Sequence, residues 1–286
     1  MKAIALVVIL AACSKSGVDE TAAKQLFDAI DLPNVKPGES DLTVDDHGKI
    51  WAVAERDRFA TEIELHGLTV TTVEHAMDGV PDGNDTESIA WLSPGHFVIG
   101  IEGQQTATAG LLFAELRPDG HLAVTRTRML TEDEMGVKLD KNHGTEAVCG
   151  KGDDVIAGIE ERGTFADGKR WAPLVRVSAD HTSLVKLHLT TAAGKLSALD
   201  CQFQPDGSID FVGIERHFGV ERILHGVLAP GATEVTPTVV LDLSPTIHDT
   251  YNMEGIARLT DGRTVMINDN QSVHIEGTTK LFVLKR

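Results

Sequence analysis

Glu87-Ser88-Ile89-Ala90-Trp91-Leu92-Ser93-Pro94-Gly95-His96-Phe97-Val98-Ile99-Gly100-Ile101-Glu102 is two short apolar runs around a Ser-Pro-Gly turn, with a carboxylate at each end. Apolar runs of this length separated by a glycine turn read as a β-hairpin. The pattern recurs at Asp41 to Glu55, Glu146 to Glu160, Asp200 to Glu215 and Glu254 to Asp269. With the first hairpin these make five copies, whose closing acids lie 47, 58, 55 and 54 residues apart. That period is the length of a propeller blade.

Each copy has room for two more strands. In the second copy the four strands are expected at 88–92, 96–101, 111–116 and 122–129, with Pro118-Asp119-Gly120 among the turns. The last copy has room for only three before Arg286, at 255–259, 264–267 and 280–284. Residues 25–32, which read as a strand or a short helix, can as a strand supply the missing outer strand from the other end of the chain, which removes an exposed sheet edge. The expected fold is therefore all-β, a five-bladed β-propeller closed by an N-terminal strand and occupying residues 25–286. Residues 131–142 are expected to add a short surface helix, and 164–170 a polar loop.

At 286 residues with 42% hydrophobic and 24% charged side chains, the chain can bury a sizeable core. A formal net charge of −17 excludes nucleic-acid binding through phosphates, because no basic stripe is present. An acidic surface suits cations, or serves solubility alone.

Lys2 precedes an apolar run from Ala3 to Ala12 that ends Leu10-Ala11-Ala12-Cys13. A short apolar segment closing on small residues is a secretory signal, and Leu-Ala-Ala-Cys resembles the bacterial lipobox. Residues 1–12 are thus expected to be a signal peptide, Cys13 the lipidated residue, and 13–24 a tether. Ser14 after the cysteine favours the outer membrane, facing the periplasm. The apolar run is too short to span a bilayer. Cys149 and Cys201 lie on the first strands of neighbouring copies, and an exported compartment permits a disulfide between them. Two buried thiols fit the sequence equally.

In a hairpin that starts and ends at one face, both terminal carboxylates meet there. Five copies would gather up to ten acids around one mouth, where they must bind cations, hold protons or pair with arginines. Arg56, Arg162 and Arg216 follow the closing acids; they either bridge neighbouring blades or dock an anionic group. The loops leading into the first strands add Asn84, His143, His248, Asp249 and Asn252. Oxygen-rich clusters without cysteine suit hard cations, Ca²⁺ before Mg²⁺. A purely structural carboxylate network is the competing reading. No Gly-x-Ser-x-Gly elbow, P-loop, dinucleotide fingerprint or His-Glu-x-x-His is present.

Asp85-Thr86-Glu87-Ser88-Ile89-Ala90, Gly213-Ile214-Glu215-Arg216, Asn252-Met253-Glu254-Gly255-Ile256-Ala257 and Asn268-Asp269-Asn270 together resemble the phytase-like propeller family known as esterase-like activity of phytase. The resemblance covers roughly residues 38–286, and the architecture it implies is similar to calcium-activated nucleotidases. Departures are the aspartate of Ser40-Asp41-Leu42-Thr43 and the displaced Asp200. The activity expected is Ca²⁺-dependent hydrolysis of a phosphate ester by a monomer. Glu87, Glu146, Glu254 and Asp269 are expected to hold the metal, with Glu102, Glu160 and Glu215 completing the shell or acting as base. Asn84, His143, Asn252 and Arg216 are expected to bind substrate. A binding propeller with structural calcium, and a lactone or carboxyl-ester hydrolase, use the same carboxylates.

Overall fold

A computed structural model describes residues 20–247, 251–271 and 277–285. Cys13, the signal segment, His248 and Asp249 lie outside the described residues. Helix α1 (Glu20–Leu26) precedes β1 (Phe27–Asp31). Four antiparallel strands then follow, β2 (Glu39–Val44), β3 (Ile50–Ala54), β4 (Phe59–His66) and β5 (Thr69–Asp78). The next unit is β6 (Asn84–Ser93), β7 (His96–Gly103), β8 (Ala109–Leu116) and β9 (Leu122–Met129). A short parallel pairing of β5 with β9 fuses these two units into an eight-stranded sheet.

The third unit holds β10 (Thr145–Lys151), β11 (Asp154–Ile159), the two-residue β12 (Gly163–Thr164), β13 (Arg170–Val177) and β14 (Thr182–His188). In the fourth, β15 (Lys195–Phe203), β16 (Ile209–His217) and β17 (Val220–Leu228) come first. There β18 (Glu234–Val235) crosses to pair with β14, and β19 (Thr238–Asp242) completes the sheet. The last strands are β20 (Met253–Arg258), β21 (Thr264–Asn268) and β22 (Lys280–Leu284). Their fourth partner is β1, antiparallel to β22 from Phe27↔Leu284 to Asp31↔Lys280.

The first strands β2, β6, β10, β15 and β20 pack neighbour on neighbour, and β20 returns to β2. The architecture is all-β and propeller-like. Its core lies in wedges between adjacent sheets. One wedge packs Trp51 and Val53 against Ile89, Phe97 and Ile99, and another packs Leu42 and Ile50 against Val265, Leu281 and Val283. Strands covered on both faces read as unbroken apolar runs, as Ile50-Trp51-Ala52-Val53-Ala54 does.

Two boundaries differ from the sequence expectation. Residues 20–24 belong to α1 instead of a tether, and Ala23 of that helix is buried against Phe27 and Phe282. The closing strand begins at Phe27, because Gln25 and Leu26 finish the helix. The short helix expected within 131–142 is α2 (Glu132–Met135), closed by a capping box of Thr131 and Glu134. Helix α3 (Ser244–Ile247) precedes the last unit. Cys149 and Cys201, with Cα atoms 5.6 Å apart, are joined by a disulfide that ties β10 to β15.

Candidate functional site

Among the described residues, every first strand carries a register shift near its start. The unpaired residue is Ser40, Glu87, Glu146, Ser197 or Glu254 in turn. A bulge frees one residue from the ladder and re-aims its side chain. The residue just before each bulge pairs with Ala54, Ile101, Ile159, Glu215 or Asn268. One position further along the second strand stand Glu55, Glu102, Glu160, Arg216 and Asp269. These ten positions surround one end of the ring of first strands, hereafter the mouth.

That register corrects two copies of the sequence pattern. Asp41 sits one residue past its bulge, fully buried, where Oδ2 accepts the Ile89 amide at 3.2 Å. Asp200 lies three residues past Ser197 and accepts a 2.6 Å bond from Arg258 Nε. In the fourth unit Arg216, not Glu215, occupies the mouth position. Glu215 is fully buried, and its carboxylate accepts the amides of Thr190 and Thr191, each at 2.9 Å, plus both threonine hydroxyls. A carboxylate so saturated pins the loop before β15 and is no base for a substrate.

Glu87, Glu102 and Glu146 come together from β6, β7 and β10, each with an oxygen within 4.8 Å of the others'. Glu87 also belongs to a second group with Glu55 and Asp85. Gly144 permits the approach: a Cβ there would fall 2.2 Å from Glu102 Cβ. Unit charges about 5 Å apart repel by roughly 3 kcal/mol at an effective dielectric of ~20. Burial first, then Glu146, Glu102, Glu55 and Glu254, push Glu87 well above the usual carboxylate range. Burial and the carboxylates of Glu160, Glu102 and Glu254 do the same to Glu146. Glu102 is raised to about 8 by burial, then by Glu160, Asp85, Glu55 and Glu254.

Glu87 accepts one bond, from Ser40 Oγ at 3.2 Å, while its Oε1 and Glu102 Oε2 are buried with no partner among the described residues. An all-oxygen donor set with buried, unsatisfied lone pairs fits a hard cation. These three residues can hold a metal ion.

Glu254 and Asp269, expected as metal ligands, are engaged otherwise. Asn252, at φ +48°, donates its amide to Glu254 Oε1 and Asp269 Oδ2, both at 3.1 Å. Arg216 donates to Asn252 Oδ1 and Glu254 Oε1, joining the fourth and fifth units. Burial opposes the charge of Arg216, but Glu254, Glu221, Glu146 and Glu160 hold its pKa above the ordinary value. Burial likewise raises Glu254 to about 8 against the pull of Arg216, with Asp269, Glu55 and Glu160 adding to the rise. Asp269 is raised by burial, less so because the Gln271 amide and Arg216 favour its charge.

Glu160 accepts Lys195 Nζ at 2.7 Å, and its Oε2 lies 3.5 Å from His143 Nε2. His143 in turn bonds Glu161 Oε2 through Nδ1 at 2.8 Å and stands 3.3 Å from Lys195 Nζ. Asn84 turns away from the mouth, its amide donating to the Pro81 and Asp82 carbonyls. It holds a loop and takes no part in the group. Lys195, Ser197 and Glu161 were missed as members. Counting back from the bulge exposes the first: Lys195 stands where the other units carry Gly38, Asp85, Gly144 and Asn252.

The model of the family described as Phytase-like, esterase-like activity of phytase, matches residues 36–272. No curated protein matches the chain. A glycoside hydrolase GH43_1 enzyme from Xanthomonas citri superposes with a TM-score of 0.59 at 12% identity, over 93% of this chain and 93% of that one. The major allergen Mala s 1 of Malassezia sympodialis gives 0.58 at 8% identity, over 90% and 96%. At such identities the likeness is one of fold.

Proposed function

This chain belongs to the phytase-like family (esterase-like activity of phytase), and from that premise we propose that it is a Ca²⁺-dependent hydrolase of phosphate esters. The convergence of Glu87, Glu102 and Glu146, with two buried oxygens lacking partners, carries this reading. Those three would hold the ion, which would supply an acidified water and a counter-charge for the phosphoryl group. Glu160, fixed through Oε1 by Lys195, would accept a proton at Oε2, which lies 3.5 Å from His143 Nε2. The Arg216–Asn252 network holds Glu254 and Asp269 as the opposite wall. We read the sheet units as blades of a five-bladed propeller, a count supported by the cyclic packing of the first strands.

Calorimetric titration of metal-free protein with Ca²⁺ should give saturable binding, weakened at least about 100-fold in Glu102→Gln. The loaded protein should hydrolyse 4-nitrophenyl phosphate and lose that activity with chelator. Absence of Ca²⁺ binding overturns the proposal. Binding without hydrolysis of any phosphate or carboxyl ester would favour the ligand-binding propeller, and hydrolysis of carboxyl esters alone the third reading.

The lipobox motif supports export and anchoring through Cys13, and Ser14 supports the outer membrane; we propose that the anchored protein is a monomer. Cys13→Ser should lose metabolic lipid labelling and membrane fractionation; retained lipid label on that variant would refute the anchor.

A further inference from the structure

Between the third and fourth units the mouth opens into a cavity of about 220 Å³, lined by Glu146, Glu160, Lys195, Ser197, Arg216 and Phe218. Two polar atoms of its lining residues are buried without a partner among the described residues, Ser197 Oγ and Arg216 Nε. Ser197 is only 4% exposed. Burying a hydroxyl or a guanidinium N–H unpaired is costly, so both residues retain a donor for an acceptor seated beside them. Lys195 adds an ammonium, with Glu160 at 2.7 Å and His143 at 3.3 Å accounting for two of its three protons. Donors of three different kinds thus belong to residues lining one small space. Glu146 lines this cavity and also belongs to the Glu87–Glu102–Glu146 group, so the two sites share a wall.

The rim is apolar at one point. Phe218, in the turn between β16 and β17, is 81% exposed and touches His217, ring centres 5.0 Å apart. No core contact explains a phenyl ring held out in water above a polar cavity.

We infer that this cavity is the phosphoryl subsite of the activity proposed above, and that its substrate is a phosphate monoester with a flat, apolar leaving group seated on Phe218. The inference rests on that functional reading. Three donors match the three non-bridging oxygens of one phosphoryl group. The volume falls below the roughly 300–1,000 Å³ of sites for drug-sized ligands. Further phosphates on the same molecule would face the carboxyl groups of Glu55, Glu87, Glu102, Glu254 and Asp269, which offer a polyanion no cationic side chain to pair with. A planar ring packs well on Phe218 in offset or edge-on geometry. Hydrolysis in this pose forms a P–O bond from water and breaks the P–O bond to the leaving oxygen, which keeps the bonding pair. The proton lost by water passes to Glu160 and then to the departing oxygenate, giving inorganic phosphate and the free alcohol or phenol.

Phenylphosphonate, which cannot be hydrolysed, tests the subsite directly. Calorimetry on the Ca²⁺-loaded protein should show phenylphosphonate binding about tenfold tighter than methylphosphonate. Phe218→Ala should erase that difference. Ser197→Ala and Lys195→Met should weaken both phosphonates about tenfold or more. Ca²⁺ affinity in Ser197→Ala and Phe218→Ala should stay within about twofold, because neither residue is in the carboxylate trio. Equal affinity for the two phosphonates, tighter binding of inositol hexakisphosphate, or no effect of Phe218→Ala overturns the inference. Its failure is separable from failure of the functional reading. Phosphate-ester hydrolysis with an unchanged KM in Ser197→Ala and Lys195→Met would overturn the subsite and leave the hydrolase standing. The expected phosphonate pattern without any hydrolysis would support the subsite and remove the hydrolase.

Discussion

A chain lacking residues 20–34 is expected to lose its cooperative fold at 25 °C. The deletion removes β1, whose five residues pair with β22 from Phe27↔Leu284 to Asp31↔Lys280. It also removes Phe27, Ile30 and Leu32, which are buried in the wedges on either side of the last sheet. Each such side chain contributes about 1.5–3 kcal/mol by burial. Together they approach the net stability of about 5–15 kcal/mol that a domain possesses. The deletion would also leave β22, with its Leu281, Phe282 and Val283, as an open edge, a template for pairing with other molecules. Circular dichroism should show no sharp thermal transition, and light scattering should reveal association at micromolar concentration. A melting temperature within about 2 °C of the full chain would refute the closing role of β1.

The second large effect is a loss of stability with rising pH in metal-free protein. Glu39, Glu102 and Glu254 are each raised to about 8 from an ordinary 4.5, chiefly by burial. Between those values the folded chain keeps protons that the unfolded chain has released. Stability is therefore fullest below pH 4.5 and is lost as pH rises through 8. Each group contributes a cost on the order of 4 kcal/mol by pH 8, though neighbouring groups will not add simply. The melting temperature should fall by about 10 °C or more between pH 5 and pH 8. Ca²⁺ competes with protons for the carboxylates of the mouth, so its stabilising effect should be larger at pH 8 than at pH 5. Glu102→Gln should flatten the metal-free profile and suppress the Ca²⁺ effect. Glu39→Gln, whose parent carboxylate accepts Thr61 Oγ1 at 2.8 Å away from the trio, should flatten the profile and keep that effect. A pH-independent melting temperature, or an equal Ca²⁺ effect at both pH values, would sink this account.

The sequence by itself determined the strand-and-turn order, the gap that β1 fills, and the gathering of carboxylates at strand ends. These are local matters. Apolar runs bounded by Ser93-Pro94-Gly95 or Pro118-Asp119-Gly120 announce strands wherever they occur, and a unit one strand short announces its need for a partner. The disulfide was left open because it depends on a Cα separation that only packing provides.

Register is what the tertiary structure decided. Gly-Ile-Glu occurs at 100–102, 158–160 and 213–215, three identical tripeptides closing three hairpins. In the first two copies the glycine pairs with Ser88 or Ala147, just past the bulge, and the glutamate faces the mouth. In the third, Ile214 takes that pairing with Ala198, and the tripeptide is displaced by one residue. Side chains alternate along a strand, so this single step turns Glu215 into the body of the protein and swings Arg216 to the mouth. The fourth hairpin is also longer, with Ala198 pairing Ile214 where Ser88 pairs Gly100, so Ser197 and not Asp200 stands at the bulge. No property of the tripeptide encodes the difference, because a bulge exists only relative to the strand across from it. A mouth of uniform acids would have offered an anion no side-chain donor; the register of one unit placed Arg216, Lys195 and Ser197 beside the carboxylates of its neighbours.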